Sequence, residues 1–314
     1  MTQGGSRISL VIETWNTAGE VETLVRQLDR LAPQLAALDA ELVVTHARLT
    51  AGTRETLAGR VGRPITWVEL PASAGYYDHK NRGFDASTGD LVAFIDGDCE
   101  PVAGWLAALV EPFAAGAQVV AGATSYDGAL APLANELDFP YFDYADKRRS
   151  FAATSAATAP NVRNFFANNV AFAREAFASR RYPTIEPMFH GQCQVLALRF
   201  MEAGIPIAYA PGARVTHAWP DDLREFLETR LLRGADTTQL LPHVLGTYAP
   251  RARPAVERLG PLPALAIFAM RAAKGAWSAV RRGPILRGLA LVAGVTAIDA
   301  VGAAAAPAVY RWVA

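Results

Sequence analysis

The chain has 314 residues, 51% of them hydrophobic, enough to bury a substantial core in one large domain or in one domain with an appendage. Thirty Lys/Arg balance thirty Asp/Glu, and a formal charge of zero argues against a nucleic-acid binder. Cys99 and Cys193 are the only cysteines, too few for a disulfide framework and in keeping with a reducing compartment.

Met1 to Arg7 is polar and runs straight into a strand candidate, Ile8-Ser9-Leu10-Val11-Ile12, which argues against a cleavable secretory signal. Val21, Leu24, Val25, Leu28 and Leu31 recur at helical spacing and predict a helix that Pro33 ends or bends. Leu42 to Thr45 and Ile65 to Val68 read as strands, with a short helix from Arg54 to Arg60 between them. Leu91 to Ile95 is a further buried strand, followed by a helix around Trp105 to Val110 and a strand at Gln118 to Ala121. Strands alternating with helices predict an α/β fold with a mostly parallel sheet.

Leu130 to Pro160 has no clean period, and its Ala/Thr/Ser-rich part, Ala152 to Pro160, reads as a mobile loop. Asn164 to Phe172 reads as strand or turn. A helix from Gln192 to Ala203 is closed by Gly204, placed where a left-handed residue is wanted. Strands at Ile205 to Tyr209 and Arg214 to His217 follow.

The strand ending in Phe94-Ile95-Asp96-Gly97-Asp98-Cys99 carries most of the functional information. It sets two carboxylates at the carboxyl edge of a sheet, where open α/β folds bind ligands. Such oxygens suit Mn²⁺ or Mg²⁺ bridging a diphosphate. The same letters also read as a plain Asp-Gly turn.

Taken together, the ordered segments resemble a family 2 glycosyltransferase of the GT-A fold over roughly Ile8 to Asp236. Glu13-Thr14-Trp15-Asn16 stands where that family has a turn against the nucleotide. Lys80-Asn81-Arg82-Gly83 is similar to its Arg-Asn-x-Gly, Asp96-Gly97-Asp98 to its Asp-x-Asp, and Asn168-Asn169 lies on the acceptor-side strand. Gly204 to His217 is similar to its closing segment.

The resemblance implies a domain over 1–245 that binds a nucleotide-sugar donor through Glu13, Thr14, Asn16, Asn81, Gly83, Asp96, Gly97 and Asp98. Asp98 holds the metal, Asp96 lies toward ribose or metal, and His217 is a further ligand or simply closes a strand. Asn81 and Gly83 contact the nucleotide or form a turn. Thr14 and Asn16 bind base or ribose, or cap the next helix. Asn168, Asn169, Gln192, Trp219, Arg230 and Arg233 are expected on the acceptor side. Trp219 stacks on a sugar or packs, and the two arginines grip a phosphate or form a solvated face.

Two features depart from the family pattern. The second strand runs into Thr45-His46-Ala47 instead of acidic residues, so the resemblance does not select UDP. Where inverting members carry Glu-Asp, this chain has His190-Gly191-Gln192-Cys193-Gln194. A hydroxyl nucleophile needs a proton acceptor, so His190 is the expected base, with Glu186 the second candidate. A phosphate acceptor would remove the need. Cys193 reads as a small buried residue rather than a nucleophile.

The tail, 246–314, is expected to be a separate helical region. From Arg251 onward nine Arg/Lys face only Glu257 and Asp299, a net charge of +7 balanced by −7 before it. Two apolar runs flank Arg271, Lys274, Arg281, Arg282 and Arg287, a pattern that fits peripheral contact with anionic headgroups at the inner face of a cell membrane. A spanning helix and packing onto the catalytic domain are the other readings.

The expected activity is metal-dependent, inverting transfer of a sugar to a hydroxyl acceptor, lipid-linked or on a polysaccharide. The alternatives are nucleotidyl transfer, for which the first turn lacks a Gly-rich basic loop, and a sugar-nucleotide-binding protein without a catalytic base.

Overall fold

The computed structural model describes residues 6–15, 21–127, 161–162, 164–189, 191–218, 222–282 and 285–313. Asn16, His190, Trp219 and the loop expected at 152–160 lie outside these residues.

The N-terminal part alternates as expected. β1 (Ile8–Glu13), β2 (Glu41–His46), β3 (Ile65–Glu69) and β4 (Leu91–Asp96) alternate with α1 (Val21–Ala37), α2 (Ala51–Val61) and α3 (Tyr76–Ala86). Then follow β5 (Cys99–Pro101), α4 (Trp105–Val110), a 3₁₀ turn at Glu111–Ala115, β6 (Val119–Asp127), β7 (Asn161–Val162), β8 (Asn169–Ala173) and α5 (Arg174–Ala178). α6 (Gln192–Glu202) leads to β9 (Ile207–Ala218). The chain closes with α7 (Leu223–Tyr248), α8 (Arg253–Glu257), α9 (Leu262–Arg282), α10 (Ile285–Ala304) and α11 (Ala306–Val313).

The strands form one nine-stranded sheet in the order β3-β2-β1-β4-β8-β6-β9-β5, with β7 paired to β9. β3, β2, β1 and β4 run parallel. Beyond β4 the sheet becomes mixed, because β8 pairs antiparallel with both β4 and β6. β1 and β4 are buried at every position, as strands covered on both faces require.

Three local outcomes differ from the sequence expectation. Pro33 does not end α1, which runs on to Ala37. There the Gln34 amide donates to the Arg30 and Val102 carbonyls, and its oxygen accepts from the Leu106 N–H, tying this end of the helix to the rest of the core. The two strands expected at 205–209 and 214–217 are one strand, Ile207–Ala218: Pro211 and Gly212 sit exposed at the middle of β9. Lys80-Asn81-Arg82-Gly83 is no turn but the middle of α3.

The chain divides into two compact units. The first comprises the described residues within Met1–Ser125, Tyr144–Thr184 and Arg199–Ala218; the second, those within Tyr126–Asp143, Ile185–Leu198 and Trp219–Ala314. The expected border at 245 falls inside α7. In the first unit, Leu24, Leu28, Leu31 and Leu35 of α1 pack with Trp105 and Leu109 against the sheet.

In the second unit α7 and α10 approach backbone to backbone. A Cβ on Gly234 would collide with the Asp299 carbonyl, and one on Gly302 with the Leu231 carbonyl. Arg230 and Asp299 form a buried, two-pronged ion pair, with Nε to Oδ1 at 2.9 Å and Nη2 on Oδ2. On α9, Ala264 and Phe268 are buried with Ala303. Leu262, Met270, Trp277 and Val280 are exposed; at about 100° per residue they lie on the opposite face. Among the described residues no single helix is long and apolar enough to cross a membrane. Gly288–Ala304 with Ala306–Trp312, bent by 91°, passes only as a pair.

Candidate active site

The carboxyl ends of β1, β2 and β4 meet in register, with Glu13 opposite Thr45 on one side and Asp96 on the other. The turn after β4 is pinned from three directions. The Gly97 N–H donates to the Glu13 carbonyl at 2.8 Å, and the Ala218 N–H to the Asp98 carbonyl at 3.3 Å. The buried Gln27 amide donates to the carbonyls of Asp96 (2.5 Å) and Cys99 (2.7 Å). Antiparallel pairing of Cys99 with His217 then sets the imidazole beside Asp98.

The two aspartates are treated differently. Asp96 is 2% exposed; its Oδ1 takes the Lys80 ammonium at 2.5 Å, and Tyr76 O–H donates to both oxygens at 3.0 and 2.9 Å. Lys80 is wholly buried and also lies 4.7 Å from the Tyr76 ring centroid. Asp98 is part-exposed, and its Oδ2 lies 3.5 Å from His217 Nε2. Asp98 Oδ1 is buried without a hydrogen-bond partner among the described residues.

His217 Nδ1 meets the Ala218 carbonyl, which can only accept. In the neutral ring the proton therefore belongs on Nδ1 and the lone pair on Nε2, toward Asp98. An orphaned carboxylate oxygen and a pre-set imidazole nitrogen fit a divalent cation of the Mn²⁺ type. The ligand atoms of Asp98, Cys99 and His217 lie within 4.8 Å of one another. Burial pushes the Cys99 thiol well up, with Asp98 and Asp96 adding to the effect, and sulfur is a poor match for an ion of the Mn²⁺ or Mg²⁺ type, which prefers oxygen ligands. This revises the expected ligand set: Asp98 and His217 fit the metal, while the Asp96 carboxylate is occupied by Lys80 and Tyr76.

Burial, then the neighbouring Asp96 charge, raises the Glu13 carboxyl well above the usual range, with Lys80 opposing and Asp98 reinforcing. Glu13 Oε2 accepts the Trp15 N–H at 2.7 Å, which fixes the first turn. Burial likewise raises Asp98, against the pull of His217.

The family model for glycosyl transferase family 2 matches residues 9–179, more than half of the chain. The chain belongs to glycosyl transferase family 2. No match was found among curated proteins.

Among solved structures, this family 2 chain is similar to the mannosyltransferase PcManGT from Pyrobaculum calidifontis, in complex with GDP-Man and Mn²⁺. The TM-score is 0.61 at 18% identity, covering 98% of this chain and 88% of that one. It is also similar to GalNAc-T7 with UDP, GalNAc and Mn²⁺ (TM-score 0.53, 14% identity, 77% and 51% covered), spanning about half of that chain. A third neighbour is glucosyl-3-phosphoglycerate synthase from Mycobacterium tuberculosis with Mn²⁺, UDP-Glc and phosphoglyceric acid (TM-score 0.50, 22% identity, 78% and 81% covered). The fold is of the GT-A type.

Several residues of the family 2 chain are engaged differently from the sequence expectation. The Asn81 side chain donates to the Tyr182 carbonyl at 3.0 Å and accepts its N–H at 3.3 Å, so it clamps the segment after α5. Gly83 faces the sheet, where a Cβ would collide with Val11, and it lets α3 close on β1. Thr14 O–H donates to the Thr45 carbonyl at 3.1 Å. Asn169, wholly buried, accepts from Trp105 Nε1 and donates to the Ala123 and Ala213 carbonyls, each at 2.9 Å; this is a core staple rather than an acceptor contact. Asn168 Oδ1 accepts from Thr124 at 3.1 Å.

In the second unit, Arg230 is committed to Asp299, which corrects its expected place in phosphate binding. Arg233 is half-buried and Glu186 is exposed. Gln192 is buried: its amide donates to the Met188 carbonyl at 2.8 Å, and its Oε1 has no hydrogen-bond partner among the described residues.

Lys80, Tyr76 and Gln27 escaped assignment from the sequence. A signal existed for Lys80: with Tyr77 and Phe84 it shares the i, i+3, i+7 buried face of α3, and a lysine there needs a carboxylate.

Proposed function

We propose that this protein transfers a sugar from a nucleotide-diphosphate sugar to a hydroxyl acceptor, with inversion and with Mn²⁺ or Mg²⁺ as cofactor. The observation that carries this reading is the division of labour at the sheet edge: Asp96 is held by Lys80 and Tyr76, whereas Asp98 keeps a buried Oδ1 without a partner among the described residues and sets its Oδ2 beside His217 Nε2. PcManGT with GDP-Man and Mn²⁺, and GalNAc-T7 with UDP and Mn²⁺, support the donor class and the metal.

Asp98 and His217 would hold the ion, which when bound supplies Lewis-acid stabilisation of the departing diphosphate. Lys80 neutralises Asp96 and so keeps the total negative charge at this edge low enough for a diphosphate to approach. Gln27 and Glu13 hold the turn rigid, which presets Asp98 without reorganisation. On the acceptor side, His190 is the proposed proton acceptor, and Gln192 offers an unused carbonyl oxygen for a hydroxyl. Trp219 is proposed to face the acceptor.

The acceptor is proposed to be presented at the cytoplasmic face of a membrane, on a lipid or a growing polysaccharide. Support comes from the exposed apolar face of α9 (Leu262, Met270, Trp277 and Val280) in a segment whose sequence is strongly basic. Flotation with vesicles of anionic and of neutral lipid tests this: binding to neither removes the membrane from the proposal.

The deciding experiment is a thermal-shift screen of GDP-mannose, UDP-glucose and other nucleotide sugars with and without Mn²⁺, followed by transfer to a panel of hydroxyl acceptors. Metal-dependent stabilisation by one donor with transfer is expected. Stabilisation with no transfer to any acceptor would favour a sugar-nucleotide-binding protein.

A further inference from the structure

Position 190 is bracketed by main-chain groups that a distant part of the sequence holds. Before it, the Phe189 N–H donates to Asp236 Oδ1 on α7 at 2.8 Å. Tyr310 of α11 donates its O–H to the same oxygen, also at 2.8 Å. Asp236 is 5% exposed, so its carboxylate is a buried acceptor on whose Oδ1 both donors converge. The Phe189 side chain also packs with Tyr310 against Leu232, Ala235, Ala306 and Val309.

On the other side of position 190, Gly191 adopts φ +102°, a conformation that L side chains rarely take, and its carbonyl accepts from the Gln194 and Val195 N–H groups to open α6. Gln192 reaches back to the Met188 carbonyl, and Met188 packs with Val195 and Leu240. Met188, Phe189, Gly191 and Gln192 are thus tied to α6, α7 and α11 together. All of these groups lie in the second unit.

We infer that Asp236 and Tyr310 are positioning residues for the 188–192 segment, so that the last helix of the chain belongs to the acceptor machinery as well as to any anchor. The inference deepens the proposed function, since it rests on that segment carrying the base and the acceptor contact. Tyr310 orients the Asp236 carboxylate, Asp236 holds the Phe189 N–H, and the main chain then presents Gln192 in one geometry. A misplacement of about 1 Å in such a segment can cost on the order of 10²-fold in rate.

The test uses full-length protein carrying Tyr310→Phe, Asp236→Ala or Asp236→Asn. The first removes only the hydroxyl; the last keeps an acceptor oxygen and serves as the conservative rescue. Amide hydrogen exchange of the peptide covering 185–195 is compared with that of the wild type. Faster exchange at Phe189 and its neighbours is expected in Tyr310→Phe and Asp236→Ala, with Asp236→Asn restored toward wild type. Unchanged exchange in a folded Tyr310→Phe protein would overturn the inference.

Kinetics with UDP-glucose or GDP-mannose, Mn²⁺ and octyl glucoside as hydroxyl probe give the second readout. Acceptor kcat/KM is expected to fall at least tenfold while the donor KM stays unchanged. Equal losses on the donor side, or none on the acceptor side, would also overturn it. A wild-type protein that transfers to no acceptor counts against the proposed function, and the exchange comparison then decides on its own whether α11 holds the segment.

Discussion

Lys80 and Asp96 form an internal ion pair, Nζ to Oδ1 at 2.5 Å, with both side chains almost fully withdrawn from water. Removing one partner of such a pair leaves a buried charge and costs about 3–5 kcal/mol, whereas replacing both with apolar groups is often neutral. Lys80→Met is therefore expected to lower stability by roughly that amount, measured as the shift in urea midpoint at constant slope. The double variant Lys80→Met/Asp96→Leu is expected to recover most of the loss in stability.

Asp98 and His217 carry the metal prediction. Asp98→Ala and His217→Ala are each expected to abolish the Mn²⁺-dependent rise in melting temperature seen with a nucleoside diphosphate. Cys99→Ala is expected to retain it, because sulfur is a poor ligand for Mn²⁺ beside a carboxylate and an imidazole. Loss of the Mn²⁺ response in Cys99→Ala with retention in His217→Ala would reverse the assignment.

Glu13 makes stability depend on pH. Its carboxyl is raised in the folded state by burial first and by Asp96 and Asp98 beyond that, so the native chain holds its proton more tightly than the unfolded chain. Stability from this group is full below the ordinary carboxylate value of about 4.3 and falls as pH rises toward the raised folded value. Glu13→Gln keeps an acceptor for the Trp15 N–H and removes the titration. Chemical denaturation between pH 4 and pH 8 is expected to show a smaller loss of stability in the variant than in the wild type.

Asn169 is a structural prediction that separates a staple from a binding residue. Asn169→Ala strands the Trp105 N–H and the Ala123 and Ala213 carbonyls in the core. Each unsatisfied group costs about 1–3 kcal/mol, so a large drop in melting temperature is expected. Nucleotide affinity of the protein that remains folded is expected to be unchanged.

The parallel half of the sheet was legible because its strands are short apolar runs separated by helical periods, and because Gly204 (φ +69°) ends α6 where a left-handed residue was wanted. The position of Asp98 at the sheet edge was legible for the same reason: it follows directly on a short apolar strand. Asn81, Gly83 and Asn169 were not. Their letters match a ligand-facing motif, but their side chains or lack of one serve contacts 40 or more residues away in sequence, which no local pattern reports. Arg230 was misplaced similarly: its partner, Asp299, lies 69 residues further on, in an otherwise apolar stretch of α10. Paired, each accounts for the other, and an aspartate in that run no longer needs water.

The crossing of α7 and α10, where Gly234 and Gly302 each leave bare main chain for the other helix, has a practical meaning for anyone recombining such proteins. Neither helix has a version of its surface that suits a foreign companion: even a methyl group at either glycine meets a peptide oxygen, and Arg230 arrives in need of its own aspartate. A hybrid that exchanges C-terminal regions must therefore be cut ahead of Ile185, taking α7 and the segment it holds along, because a seam at residue 245 would pair helices that were never shaped for one another.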